Sequence, residues 1–527
     1  MKKLCLLFGF IHLALSLHAQ EPKKIFEDDL PKEEVKQLQF YAFYINQAVS
    51  SNFYPENVFM KGQVIGRLFG DNTTRTSNED VTMYVEQRLI PFFIYQPKLF
   101  NGRALLRASF EIDYTWGDAS YGAGGNLGGA IAADFVNIQT QNIELELIPN
   151  AYWKVNLGLM RMFDTPYNPY RTFFDKMLQT GYRLSYWGTD AVGVTARRDD
   201  DISNLKLGFY QLYENNIEEK DDVYLTEAHY QQKITPKWKL GTSLYYLSDR
   251  SNGEGGVSIY AQGLNSKLNG YNGTFRFFDF GTREYKADIA WVGGYFSRNE
   301  DFMMDRWQWT GFFNYNLGVA QVGQEGEWVK GADIAGFSAN TRLAYRFGQT
   351  INDHFSVDAI FASGDDNALE DKRYSGVITG NTWGAPAGIF IGTGSYLLFP
   401  HGNVVNRFTP VVADMSNMGY GLVGGTLKAS KDFIPNKLNA KLGLAHANSI
   451  VAPQGGGKVI GTEVNTALSY NFGPFMSLEF HAAYMNLGNF YESNDDTYSF
   501  DINGTAVSEG RPENPWTAFL VYKWLMF

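Results

Sequence analysis

The chain has 527 residues, a formal charge of −11, 44 % hydrophobic and 16 % aromatic residues, and a mean hydropathy of only −0.27. The acid excess argues against nucleic acid as a partner, and past the first 19 residues no run of about 18 unbroken apolar residues exists to cross a membrane as a helix. With 32 Tyr, 40 Phe and 54 Gly, the composition instead suits strands that are apolar on one side and wet on the other.

The chain opens with Lys2 and Lys3, an apolar run from Leu4 to Leu17, and Leu17-His18-Ala19. A basic start, a short apolar stretch and a small residue predict a signal peptide over residues 1–19, cut after Ala19. Its loss takes the formal charge from −11 to −13 and removes Cys5, the single cysteine. No disulfide, thiol chemistry or cysteine-borne lipid is therefore expected in the mature chain.

Residues 20–56 form a charged N-terminal segment. Asp28 and Asp29 precede Pro31, and Val35, Leu38, Ala42, Ile45 and Val49 follow at three- and four-residue steps. This spacing predicts an amphipathic helix of about 18 residues from Pro31. Its apolar stripe would lie against a barrel rim or enter the lumen as a plug.

From Asn57 the period changes to two. Between Arg103 and Trp116, Ala104, Leu106, Ala108, Phe110 and Ile112 alternate with Leu105, Arg107, Ser109, Glu111 and Asp113. A strand buried on both faces could not carry the second set without a heavy desolvation cost; one with lipid outside and water inside can. Val81, Met83, Val85 and Leu89 oppose Glu86 and Arg88, and Ile143, Leu145 and Leu147 oppose Glu144 and Glu146. Tyr285, Ala287, Ile289, Trp291 and Tyr295 oppose Glu284, Lys286 and Asp288, which places the aromatic row on the lipid side. Phe337 and Leu343 oppose Arg342 and Arg346, and Val464 and Leu468 oppose Glu463 and Asn465. Short connections at Pro149-Asn150, Thr235-Pro236-Lys237, Ile434-Pro435-Asn436 and Phe472-Gly473-Pro474 predict tight periplasmic turns. Long polar stretches, with residues 363–417 the longest, predict external loops. About nineteen strands can be drawn; bacterial barrels use even numbers, so the expectation is 18, with 16 to 20 allowed. The irregularity falls between Phe280 and Phe361, where turn lengths stop alternating.

The last strand, Pro515 to Phe527, is aromatic and holds one charge, Lys523. Such a terminus fits the strand that closes an outer-membrane barrel, since an open edge has no place in a bilayer. Stepping back by twos from Phe527 meets Lys523, whereas Ala518, Leu520, Tyr522, Trp524 and Met526 form the more apolar row. The lipid side of this strand stays open by one residue.

The inward rows carry both signs. The predicted lumen-lining residues are Arg88, Arg103, Arg107, Glu111, Asp113, Lys286, Arg342, Arg346, Glu463 and Glu479. A near balance of charge points to cross-strand pairing and a hydrated path rather than a strongly ion-selective pore. Five scattered histidines remain after the leader, with no metal-ligand spacing and no Gly-x-Ser-x-Gly elbow, so no enzyme, catalytic residue or cofactor is expected. His481 and Glu479 share a face and read as a hydrogen-bonded lumen pair. Acidic loop clusters at Asp199-Asp200-Asp201, at Asp365-Asp366-Asn367 and at Asp495-Asp496 invite a Ca²⁺ reading, but no full loop consensus accompanies them, and solvated loops are the expectation.

Asn156-Leu157-Gly158-Leu159-Met160-Arg161, Phe361-Ala362-Ser363-Gly364-Asp365-Asp366-Asn367 and Leu398-Phe399-Pro400-His401-Gly402 resemble strand ends and loop starts of the alginate-export-type outer-membrane porins. The resemblance implies an 18-stranded barrel passing an anionic polysaccharide along an Arg- and Lys-rich lumen, with Arg107, Arg342 and Arg346 in that part. The lumen acids depart from a purely basic path. The expectation is thus an all-β, single antiparallel barrel over residues 57–527 in the bacterial outer membrane, in contact with its lipid. It would act as a porin or exporter giving a passive path to a polar solute or glycan. The alternative is a non-conducting barrel that serves as a scaffold for a protein partner.

Overall fold

The computed structural model describes residues 37–55, 65–66, 68, 74–98, 101–116, 137–163, 188–214, 217, 219–252, 283–300, 302–367, 371–378, 395–399, 409–410, 417–493 and 511–526. The predicted signal peptide, the charged segment up to residue 36 and the Asp495-Asp496 cluster lie outside these residues.

Eighteen strands make a closed antiparallel barrel. They are β1 (Leu38–Ser51), β2 (Thr82–Tyr95), β3 (Ala104–Thr115), β4 (Asn137–Leu147), β5 (Trp153–Phe163), β6 (Gly188–Asp199), β7 (Ser203–Tyr213), β8 (Val223–Lys233) and β9 (Trp238–Asp249). They continue as β10 (Tyr285–Arg298), β11 (Trp307–Gln324), β12 (Glu327–Arg346), β13 (His354–Ala362), β14 (Leu422–Ile434), β15 (Leu438–Ser449), β16 (Val459–Gly473), β17 (Met476–Leu487) and β18 (Trp516–Met526). Each strand pairs with its neighbours in sequence. The barrel closes where β1 pairs with β18, from Ala42↔Met526 to Ser51↔Thr517, and with β2, from Leu38↔Tyr95 to Ser51↔Thr82.

The helix expected from Pro31 does not form over its described part. From Leu38 the chain is a strand, and the barrel begins there rather than at Asn57. The three- and four-residue spacing does not gather one face: Ile45 and Val49 point inward beside Phe43 and Gln47, while Leu38 and Phe40 point outward. Tertiary demand overrides the local period. Without this strand, β2 and β18 would present bare backbone edges inside a bilayer, where no water can satisfy them.

The short connections share one end of the barrel with the start of β1 and the end of β18; these are the periplasmic turns by the rule for such barrels. The irregular region is a hairpin. β11 and β12 have 18 and 20 residues, well beyond the roughly 10 that a tilted crossing needs. They are joined at the opposite, external end by Glu325-Gly326 alone. Both residues have positive φ, 51° and 85°, as a two-residue turn matched to strand twist requires.

Outward faces are apolar. Met83, Leu106, Leu145, Val464, Leu468, Leu520 and Trp524 are exposed, whereas Glu86, Arg88, Arg107, Glu144 and Glu146 are buried on the other side. The open question on β18 is answered: Phe519, Val521 and Lys523 face inward. Near the short-turn end, Trp238, Phe296 and Trp309 form one outward aromatic cluster and Trp307 packs on Tyr345, the place that amphipathic rings take at a membrane interface. Strand β10 departs from expectation. Tyr285, Ala287, Ile289, Trp291 and Tyr295 are buried on the inner side, and Val292 is exposed on the outer one. The reason is a loop folded back into the lumen, which makes the inner side dry there.

Candidate functional site

From β3 to β8 the inner wall carries matched charges. Arg107 bonds Glu144 at 3.3 Å and Glu146 at 2.9 Å, and Arg197 reaches Glu146 at 3.0 Å. Asn156 donates to both carboxylates, at 3.0 and 3.1 Å. Further round, Lys206 lies 2.7 Å from Glu227, which also accepts the Tyr210 hydroxyl and sits 3.5 Å from His229. These side chains are 10 % exposed or less. Charges so far from water persist only where paired and hydrogen-bonded. Among these named groups three cations, Arg107, Arg197 and Lys206, meet three carboxylates, Glu144, Glu146 and Glu227.

The loop between β13 and β14 docks on the inner wall in two described places. At the first, residues 373–374 pair in parallel with Asp333 and Ile334 of β12. The Trp291 indole N–H donates to the Ile378 carbonyl at 2.9 Å, and the Ile378 N–H donates to Asn316 at 3.3 Å. The approach is close enough that a Cβ at Gly336 would overlap the Gly376 carbonyl. The second lies about six strands further round, on β16 to β18. Glu463 accepts Ser395 Oγ (2.7 Å) and the N–H groups of Tyr396 (2.7 Å), Leu397 (3.0 Å) and Leu398 (2.7 Å). Tyr396 also meets His481 through its hydroxyl at 3.1 Å and packs edge-on against Phe519, on which His481 stacks. Glu479 in turn holds His481 at 3.0 Å and Lys523 at 2.8 Å. Leu397, Leu398 and Phe399 are fully buried.

A third part of the wall, on β12 to β15, is basic. Arg342 bonds Asp358 at 2.8 Å, and Thr426 donates to the same carboxylate at 3.3 Å. Lys428 and Lys441 stand on adjacent strands, diagonal to one another in the register, with His354 and Arg346 on the same inner side. Among the described residues neither lysine has a carboxylate within ion-pair distance.

The predicted site residues divide accordingly. Arg88 is inward and buried, and Arg107, Arg342, Arg346, Glu463 and Glu479 are inward. Arg103 is exposed, just ahead of β3 at the short-turn end. Glu111 and Asp113 lie on β3, their side chains outside the described ones. Lys286 is corrected: it stands on the outer face of β10, its ammonium 3.8 Å above the Trp328 ring, because its strand turns the aromatic row inward. Asp365 closes the base of the loop, accepting the Ser375 N–H at 2.9 Å and the Asn367 N–H at 3.2 Å. Asp366 is exposed and Asn367 partly buried beside it. Asp200 caps the turn between β6 and β7 through the Ile202 and Ser203 N–H groups. Among the described residues no three His, Cys, Asp or Glu side chains converge as a metal would require. Arg197, Lys206, Glu227, Asp358 and Lys428 were missed. The signal for Arg197 was present, since exposed Val192 and Val194 fix its strand's parity.

Fold and wall together define the class: an 18-stranded outer-membrane β-barrel. No family model matches the chain, and no curated protein matches its sequence. Solved barrels are similar to it over nearly their whole length. OccAB4 of Acinetobacter baumannii matches at 12 % identity, covering 94 % of this chain and 99 % of that one, with a TM-score of 0.47. A BenF-like porin from Pseudomonas fluorescens Pf-5 matches at 9 %, covering 93 % and 99 %, with a TM-score of 0.48. OccK5 (OpdH) of Pseudomonas aeruginosa matches at 10 %, covering 92 % and 98 %, with a TM-score of 0.45.

Proposed function

We propose that this chain is a passive outer-membrane channel for a polar solute or glycan, narrowed by the loop between β13 and β14. The observation that carries the reading is that loop's docking on the inner wall, within a barrel whose outer side is apolar. A structural filler would need no basic wall beside it. The cations Arg342, Lys428 and Lys441 exceed the carboxylates they meet, whereas Arg107, Arg197 and Lys206 are matched by Glu144, Glu146 and Glu227. The permeating species would therefore pass along β12 to β15, and the path would favour anionic groups. An alginate-like polyanion would meet these cations, but also Asp358 and Glu479; a smaller or partly neutral glycan suits the mixture better.

Purified protein in planar bilayers is expected to give discrete conductance steps with mild anion preference in a salt gradient. Lys428→Gln with Lys441→Gln should move the reversal potential toward zero. Full-length protein that migrates as a folded barrel and never conducts would overturn the channel reading. That outcome would favour a non-conducting scaffold, for which the fully buried inward Tyr245, Leu247 and Trp291 already argue on one side of the lumen.

A further inference from the structure

We propose that Glu463 is a latch: its carboxylate fills an anion cradle in the loop backbone and thereby fixes the width of the constriction. The inference deepens the channel reading and rests on it. The geometry at Ser395–Phe399 is that of a turn built around an anion. Three successive N–H groups, those of Tyr396, Leu397 and Leu398, converge on one carboxylate together with Ser395 Oγ. Asn465 adds a fifth donor at 2.8 Å. Ser395 Oγ also accepts the Phe399 N–H at 3.0 Å, closing the turn on itself. Successive backbone N–H groups of this kind bind anions, and the ligand here comes from the wall of the same chain.

Two consequences follow. Glu463 is spent on the loop, so its charge does not line the path. The neighbouring contacts, Tyr396 with His481 and Phe519, can align the loop but supply no acceptor for three buried N–H groups. A neutral amide at position 463 keeps one oxygen and presents an NH₂ group to donors it cannot accept. The other docking place, at Trp291 and Ile378, is independent of this carboxylate and should survive its loss.

The test uses the full-length protein in detergent, read by hydrogen–deuterium exchange, and the same preparation in planar bilayers. In Glu463→Gln, protection of the 395–399 amides is expected to fall at least tenfold, with β16 and β17 unchanged, and conductance is expected to rise and become noisier. Should that variant not fold, Ser395→Ala removes one donor and the cap to Phe399, and a three- to tenfold loss over the same amides is expected. Protection equal to wild type in a folded variant overturns the latch. Loss of protection with unchanged conductance steps overturns its control of the constriction. Loss of protection in a barrel whose wild type never conducts supports the latch and removes the channel reading instead.

Discussion

At the scale of the residue, burial decides which charges matter. The Arg107–Glu144–Glu146–Arg197 set is almost wholly removed from water, so deleting one member leaves a partner charged and dry. Glu146→Ala strips Arg197 of its carboxylate. That class of change costs about 3–5 kcal/mol, far more than the same deletion at an exposed pair. Lys330 and Asp333 are in contact but 50 % and 56 % exposed, and Lys330→Ala should cost less than about 1 kcal/mol. Urea unfolding of both variants in liposomes, followed by tryptophan fluorescence, measures the contrast. Equal shifts would mean that water reaches the Arg197 site.

At the scale of the element, the turns at the periplasmic end are tied by single carboxylates. Between β10 and β11, Asp305 accepts Arg298 (3.1 Å), Lys237 (2.9 Å), Asn299 (2.9 Å) and the Trp307 N–H (2.8 Å). The Arg298 and Lys237 hydrogen bonds hold its carboxyl well below the usual carboxylate range. Asp353 does the same between β12 and β13; the Asp432 N–H, first among its donors, lowers it too. A carboxylate depressed in the folded state stabilises the fold above its unfolded pKa, near 4, and that stabilisation is lost as pH falls below it. Asp305→Asn should therefore lower the unfolding midpoint at pH 7, and the gap to wild type should narrow from about pH 4 downward. A gap that stays constant to pH 2 would rule out the carboxylate as its cause. Strands of this kind were readable because one face meets lipid throughout: Leu106 against Arg107, or Val464 against Glu463, leaves little choice. Strand β10 misled because Trp291 faces a loop 87 residues further on, and no local period records that. Local sequence makes Glu463 a lumen charge for the same reason, since its ligands lie 65 to 68 residues earlier. The spacing in β1 fits a helix and a strand equally well, and only the needs of its two neighbours choose.

For the whole molecule, a lumen depends on closure, and closure depends on parity. The first strand supplies ten partner positions to β18 and fourteen to β2. If it is removed, the seventeen strands that remain run β2 and β18 in the same direction, so they cannot join as an antiparallel pair. Re-sealing would need a parallel seam that no even-numbered bacterial barrel uses. The two readings of the N-terminal region separate cleanly on this point. If residues up to 48 formed a plug or rim helix, their loss would leave a barrel with a wider or unchanged lumen. With β1 as a stave, deletion of residues 20–36 should leave a barrel that still shows heat-modifiable migration on gels, and deletion of residues 20–51 should abolish that form. A folded, heat-modifiable product from the longer deletion would break the assignment of β1 and the closure described for the lumen wall.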